Sequence, residues 1–315
     1  MKLLCVILNY KTAEMTLDAI RAARAALTTL DHRIDVVDND SQDGSFEKLW
    51  SAVADAGWPD VRVVQSGHNG GFGAGNNVAL RAALLEPDPP EFLYILNSDA
   101  FPAPDAITAL VQFLETHPRA GIAGSFIHGP DGDPHLTAFR FPSMASEALS
   151  GFRLGVLQRL LPDREVPIHP MPSATQRVPW LAGASMMFRR ELLQEIGLFD
   201  ETFFLYFEET DLCRRAQLAG WECWYVLESR VAHIGSVSTG MKNKGRPMPR
   251  YWFDSRRHYF TKNHGAAYTW AANVLHAAGL ATFKARAGLQ GKPDPDPVNF
   301  LRDFAKYNFV ERRPR

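Results

Sequence analysis

Phe92-Leu93-Tyr94-Ile95-Leu96-Asn97-Ser98-Asp99 is an unbroken apolar run closed by three polar residues. Five apolar residues without alternation describe a buried strand, and the polar close marks its carboxyl end. Working outward, the same grammar repeats. Residues 2–8, 33–37, 61–65 and 121–126 read as strands; residues 12–30, 45–56, 73–85 and 105–116 carry helical spacing between them. Strand and helix alternating at this interval predict βαβ units: an α/β fold with a Rossmann-like, mostly parallel central sheet and helices on both faces. In such sheets ligands bind beyond the carboxyl ends of the strands, where Asn9, Asp38 and Asp99 all fall.

Composition is that of an ordinary globular protein. The 315 residues are 46% hydrophobic and 22% charged, enough for a sizeable core and unlike a disordered chain. Three cysteines, Cys5, Cys213 and Cys223, form no Cys-x-x-Cys pair, which points to a reducing compartment without structural zinc. The N-terminus opens into a strand rather than a signal peptide, and no run of about 20 apolar residues is present. The expected location is therefore cytoplasmic. The net charge of −1 hides a polarity: residues 236–315 hold 15 Lys+Arg against 5 Asp+Glu (+10), and residues 1–235 hold 19 against 30 (−11). The basic part is either a solvated face balancing an acidic domain or the neighbour of phosphate or anionic lipid at the inner membrane face. The basic residues accompany no reading motif, so nucleic acid is not expected as a partner.

Several stretches carry chemistry. Asp38-Asn39-Asp40 ends a strand and is either a simple turn or an acceptor for a nucleotide base or ribose. Asn69-Gly70-Gly71-Phe72-Gly73-Ala74-Gly75-Asn76-Asn77 opens a helix with four glycines, which lets a ligand approach backbone closely. It lacks both the Gly-Lys-Ser/Thr of a Walker loop and the glycine spacing of a dinucleotide fingerprint. Asp99 is a helix-capping residue or an oxygen ligand for Mg²⁺ or Mn²⁺. In Phe203-Phe204-Leu205-Tyr206-Phe207-Glu208-Glu209-Thr210-Asp211-Leu212-Cys213-Arg214-Arg215, three carboxylates follow an aromatic run. They either complement a helix dipole, with the arginines one turn on, or supply a base whose pKa is raised by burial and a like charge.

Together these stretches, with Val6-Ile7-Leu8-Asn9-Tyr10, Gly183-Ala184-Ser185-Met186-Met187 and Gly197-Leu198-Phe199-Asp200-Glu201, resemble the family 2 glycosyltransferases of GT-A fold, in their rhamnosyltransferase-like branch. The resemblance spans about residues 3–264. It implies an inverting transfer of a sugar, rhamnose from dTDP-rhamnose as the first choice, from a nucleoside diphosphate sugar to an acceptor hydroxyl in cell-surface polysaccharide assembly. Asp38 would contact the base beside Asn9, Tyr10 and Asn39, with Gly71, Asn76, Asn97 and Ser98 completing the donor pocket. Asp99 would hold the divalent cation. Trp180, Gly183 and Ala184 would floor the donor sugar and acceptor. Glu209 would be the base, with Glu208 or Asp211 able to share the role. His233 lies 24 residues after Glu209 (233 − 209), where relatives place a metal-binding histidine. Residues 236–240 resemble a closing loop, and Arg256 or Arg257 would reach the diphosphate. The chain departs from the family pattern twice: Asn97 stands where many relatives carry the first Asp of Asp-x-Asp, and Glu209 is one methylene longer than Asp. A nucleotidyltransferase and an inactive sugar-nucleotide-binding relative are the alternatives.

The expected organisation is a catalytic domain over 1–235, in which 1–126 bind the donor, 127–178 form a proline-rich insertion facing the acceptor, and 179–235 carry the acceptor and catalytic half. A basic helical extension follows over 236–315. Within it, 266–287 reads as a helix that packs on the core, meets a membrane surface or forms a homodimer contact. A glycan or lipid-linked glycan is the expected acceptor.

Overall fold

The structure, a computed structural model, describes residues 1–235 and 245–311. Residues 236–240, read above as a closing loop, and the basic tail 312–315 lie outside the described residues. The first half runs β1 (Leu3–Asn9), α1 (Ala13–Ala26), β2 (His32–Asp38), α2 (Ser45–Asp55), β3 (Val61–Gln65), α3 (Gly71–Leu84), β4 (Phe92–Asn97), β5 (Ala100–Pro102), α4 (Ala106–Thr116) and β6 (Ala120–His128). The insertion holds β7 (Ala138–Phe139), α5 (Met144–Phe152), α6 (Gly155–Leu160) and β8 (Gln176–Arg177). Then come β9 (Trp180–Leu181), β10 (Ser185–Arg189), α7 (Arg190–Ile196), α8 (Glu208–Leu218) and β11 (Glu222–His233), followed by α9 (Arg250–His264), α10 (Ala266–Leu289) and α11 (Phe300–Ala305).

The main sheet has the order β3-β2-β1-β4-β10-β6-β11-β5. Neighbours β3, β2, β1 and β4 are parallel; β10 enters antiparallel between β4 and β6. The period of two divides β1 cleanly. Leu3, Cys5 and Ile7 join α1, α2 and α4 in one core, while Leu4 and Val6 join α3, α7 and α8 in the other. Both faces are thus dry, which is why the strands read as continuous apolar runs.

Within the insertion, the helical stretch is broken into α5 and α6. Arg153 takes a left-handed conformation (φ 49°), its N–H capping Leu149, and its guanidinium pairs with Asp296 and lies over Phe283. Tertiary anchoring at that residue ends α5. The C-terminal helices build their own core from Phe253, Leu280, Phe300 and Phe304 and pack α10 along α5 of the insertion.

Candidate active site

Register brings the site together. Asn9 pairs with Asp38 across β1 and β2, and Leu8 with Asn97 across β1 and β4, so three carboxyl ends lie side by side. Asp38 is wholly buried. Its Oδ1 accepts from Asn9 Nδ2 and Ser41 Oγ (both 2.6 Å) and its Oδ2 from the Ser41 N–H at 3.1 Å. Asn9 Oδ1 in turn accepts from Thr16 Oγ1 at 2.7 Å, and the Asn39 N–H donates to the Asn9 carbonyl. Asp38 therefore shapes the turn beyond β2, with three hydrogen bonds accepted inside the protein. Ser41, Thr12 and Thr16 were not singled out beforehand; the Asp-x-x-Ser spacing of a side-chain-closed turn is the signal that finds Ser41. Ser98 joins this group through Thr12 Oγ1 at 3.2 Å, and the Tyr10 ring lies beside Lys11 Nζ. A cleft of about 380 Å³ opens at this edge, lined by Lys11, Thr12, Asp43 and Ser45 among others.

Asp99 sits just beyond β4, where the short β5 turns back to pair antiparallel with the end of β11, setting His233 opposite Ala100. Asp99 Oδ1 lies 3.0 Å from His233 Nε2, and Oδ2 accepts from the Gly235 N–H at 3.1 Å. Asn97 Nδ2 is 3.4 Å from the same histidine nitrogen. Buried Asp99 and half-buried His233 are an oxygen–nitrogen pair of the kind Mn²⁺ accepts, and such ions keep places for substrate phosphates. Among the described residues no group of three or more His, Cys, Asp or Glu converges on one point. The Asn97 amide is the third polar group at hand.

The Asn97 N–H donates to the Ala184 carbonyl (3.0 Å), linking this pair to the loop between β9 and β10. The next N–H back, of Gly183, donates to Glu209 Oε1 at 3.2 Å. A Cβ at residue 183 would stand 2.6 Å from that oxygen, so only glycine leaves the carboxylate where it is. Trp180 anchors the loop to the insertion, stacked on Phe139 at 4.3 Å with its Nε1 donating to the Arg140 carbonyl. On the other side, α8 begins at Glu208 after two non-glycine residues in the left-handed region, Tyr206 (φ 70°) and Phe207 (φ 73°). Each such residue costs about 1–3 kcal/mol and persists only when its surroundings enforce it. Here Phe207 packs against Trp252 and Tyr259 of α9, and the Phe72 N–H holds the Phe204 carbonyl at 2.9 Å. Burial, together with the neighbouring Glu209 charge, pushes the Glu208 carboxyl well above its ordinary value; burial raises Glu209 too, against the opposing pull of its backbone hydrogen bonds.

Other expected site residues are elsewhere employed. Gly71 (φ 90°) leaves no room for a side chain against the Phe204 backbone, at the junction of α3 with the segment before α8, and Asn76 donates within α3 to the Phe72 carbonyl. Asn39 donates to Asn69 and the Gly71 carbonyl, tying β2 to that junction. Asp211 is not available as a second base: it is buried and paired with Arg215 at 2.9 Å and Lys262 at 2.8 Å. Arg256, expected at the diphosphate, is instead fully buried between α5 and α10, donating to Glu147 (2.7 Å) and Asn273 (2.6 Å). Arg257 donates to Asp254 and the Tyr307 carbonyl, within the C-terminal helices.

Comparison with known proteins gives this arrangement its class. The family model described as glycosyl transferase family 2 matches residues 5–197. The chain belongs to glycosyl transferase family 2. As a glycosyltransferase it is 31% identical over 218 residues, 65% of its own length and 67% of the other's, to an N-acetylglucosaminyl-diphospho-decaprenol L-rhamnosyltransferase of Mycobacterium tuberculosis. It is 25% identical over 165 residues, 52% of its own length and 60% of the other's, to the rhamnosyltransferase WbbL of Escherichia coli. Its fold is shared with the mannosyltransferase PcManGT of Pyrobaculum calidifontis, solved with GDP-Man and Mn²⁺ (TM-score 0.60, 15% identity, 93% of this chain and 76% of that one). It is shared as well with GalNAc-T7, solved with UDP, GalNAc and Mn²⁺ (TM-score 0.59, 14% identity, 98% and 54%). The glycosyltransferase therefore has the expected GT-A fold of the rhamnosyltransferase-like branch, and family membership removes the nucleotidyltransferase alternative.

Proposed function

We propose that this glycosyltransferase moves a sugar, with rhamnose from dTDP-rhamnose the first choice, onto a hydroxyl of a lipid-linked glycan in cell-surface polysaccharide assembly, with inversion at C1. The observation that carries the reading is the continuous link from Asp99–His233 through Asn97, Ala184 and Gly183 to Glu209, which sets a candidate cation-binding pair and a proton acceptor on either side of the β9–β10 loop. The names of two relatives support rhamnose as the sugar, and one of them supports a lipid-linked acceptor.

Asp99 and His233 would hold the cation, with Asn97 beside them. A bound Mn²⁺ or Mg²⁺ offsets the charge that develops on the departing diphosphate. Asn9, Asp38 and Ser41 form the rigid rim against which the nucleoside is set, and Trp180 with Gly183 and Ala184 the floor under the reacting sugar. Glu209 takes the proton from the acceptor hydroxyl as its oxygen attacks C1 from the face opposite the diphosphate. Burial raises its proton affinity toward what a base working near neutrality needs.

A thermal-shift series with nucleoside diphosphates tests the donor site. dTDP with Mn²⁺ is expected to raise the midpoint of the wild type, since a ligand that binds only the folded state stabilises it by mass action. Asp99→Asn is expected to abolish the Mn²⁺-dependent part of that rise. An equal rise in Asp99→Asn, or none with any nucleotide in the wild type, would overturn the assignment.

A further inference from the structure

We propose that the outer face of α10, with the adjoining α6 segment, is a surface that lies on an anionic phospholipid bilayer. The proposal rests on the reading of the acceptor as lipid-linked and names the face that would meet the lipid. α10 turns Thr269, Ala272, Asn273, His276, Gly279, Leu280 and Ala287 inward. Its outward positions, at intervals of three and four, are Trp270, Val274, Ala278, Ala281, Ala285 and Leu289, all exposed, with Trp270 at 56% and Leu289 at 91%. The solvent face of an ordinary surface helix is charged. This one is not: no Asp or Glu occurs anywhere from Gly265 to Pro293, and the charged residues there are Lys284, Arg286 and Lys292.

α6 is the second half of the surface. It buries none of its residues, leaving Val156 66% and Leu160 71% exposed, with Leu161 beside them. It starts two residues after Arg153, which lies over Phe283 of α10, while Arg286 of α10 donates to the Phe152 and Arg153 carbonyls. Arg159 and Arg164 are exposed and have no ion-pair partner among the described residues; the intervening Asp163 pairs with Arg140. Exposed apolar side chains interleaved with unpaired cations are what an interfacial surface needs, the former for the acyl boundary and the latter for lipid phosphates. No helix among the described residues is long and apolar enough to cross a membrane, so the contact is one of lying on the bilayer. A second copy fits less well. A two-fold contact sets a patch against itself, and this patch is mostly cationic: among the described residues Arg159 and Arg164 have no ion pair, Asp163, Asp294 and Asp296 are taken by Arg140, Lys284 and Arg153, and Glu165 accepts from Gln158.

Sedimentation of the full chain with vesicles of phosphatidylcholine, with and without phosphatidylglycerol, tests the surface. The wild type is expected to pellet with phosphatidylglycerol vesicles at low salt and to be released at high salt. Val156→Glu with Leu160→Glu, and separately Val274→Glu with Leu289→Glu, should each cut the bound fraction about tenfold, and Arg159→Gln with Arg164→Gln should weaken only the phosphatidylglycerol-dependent part. Wild type left in the supernatant with both vesicles overturns the proposal, as do glutamate variants that pellet like wild type. So does a wild-type dimer, by solution mass, that Val274→Glu converts to monomer without vesicle binding. The dTDP and Mn²⁺ thermal shift of the same variants separates the two readings: pelleting without any nucleotide response in the wild type supports the surface while sinking the donor site.

Discussion

Glu209 differs from an aspartate in reach, and the structure gives that reach a use. The extra methylene carries Oε1 to the Gly183 N–H, so the acid is oriented by the loop between β9 and β10. Gly183→Ala would place a Cβ 2.6 Å from Oε1, the movable end of a side chain. The expected result is a fall in kcat of about 10–100-fold with donor affinity and melting midpoint nearly unchanged, because a displaced base costs rate more than stability. Steady-state kinetics beside calorimetry checks the split. Glu208 makes the opposite kind of prediction. Its proton affinity is raised in the folded protein by burial and by Glu209, so the folded state holds a proton that the unfolded chain releases at ordinary carboxylate values. Its contribution is present at low pH and is lost as pH rises through the elevated folded value. Glu208→Gln should therefore be more stable than wild type on the neutral and alkaline side, by denaturant midpoint, with the gap closing in acid; a gap that widens in acid contradicts the buried neutral acid.

At the scale of elements, much was legible and the remainder has a physical reason. β3 falls where expected, and β1, β2, β4 and β6 within two residues, because strands dry on both faces write themselves as apolar runs. β5 was not legible. Three residues carry no period, yet their pairing with β11 is what delivers His233 to Asp99. Arg256 misled for another reason: it stands in a basic, aromatic stretch, and its partner Glu147 is 109 residues away. Burial alone would push the Glu147 carboxyl up, but the Arg256 charge and the His276 contact hold it down at about 2. Arg256→Ala leaves that carboxylate buried without its cation and is expected to destabilise the protein by about 3–5 kcal/mol, while the surviving folded enzyme keeps its kcat. The pair's contribution is complete above the ordinary carboxylate value of 4.5 and fades as pH falls toward about 2, so acid unfolding of the wild type should approach that of the variant.

Across the whole molecule the charge polarity and the site tell one story. The acidic part carries the sheet, whose strand ends gather Asn9, Asp38, Asn97 and Asp99, and the basic part carries α9 to α11, of which α9 and α10 hold α5 and α9 supports the strained turn before α8. Asn97, a departure from the family pattern, keeps an amide near His233, and among the described residues Asp99 is the carboxylate that faces that histidine, at 3.0 Å. His233→Ala is accordingly expected to weaken the Mn²⁺-dependent thermal shift by dTDP without removing nucleotide binding altogether, about 10–100-fold being usual when a metal site loses part of its support. In the proposed reaction Glu209 takes the acceptor proton. Transfer of labelled sugar to a lipid-linked acceptor by Glu209→Gln, measured beside donor affinity, tests it most directly. Turnover is expected to fall by about 10²–10⁴-fold with donor affinity intact; turnover near that of wild type at the same affinity would rule out Glu209 as the base.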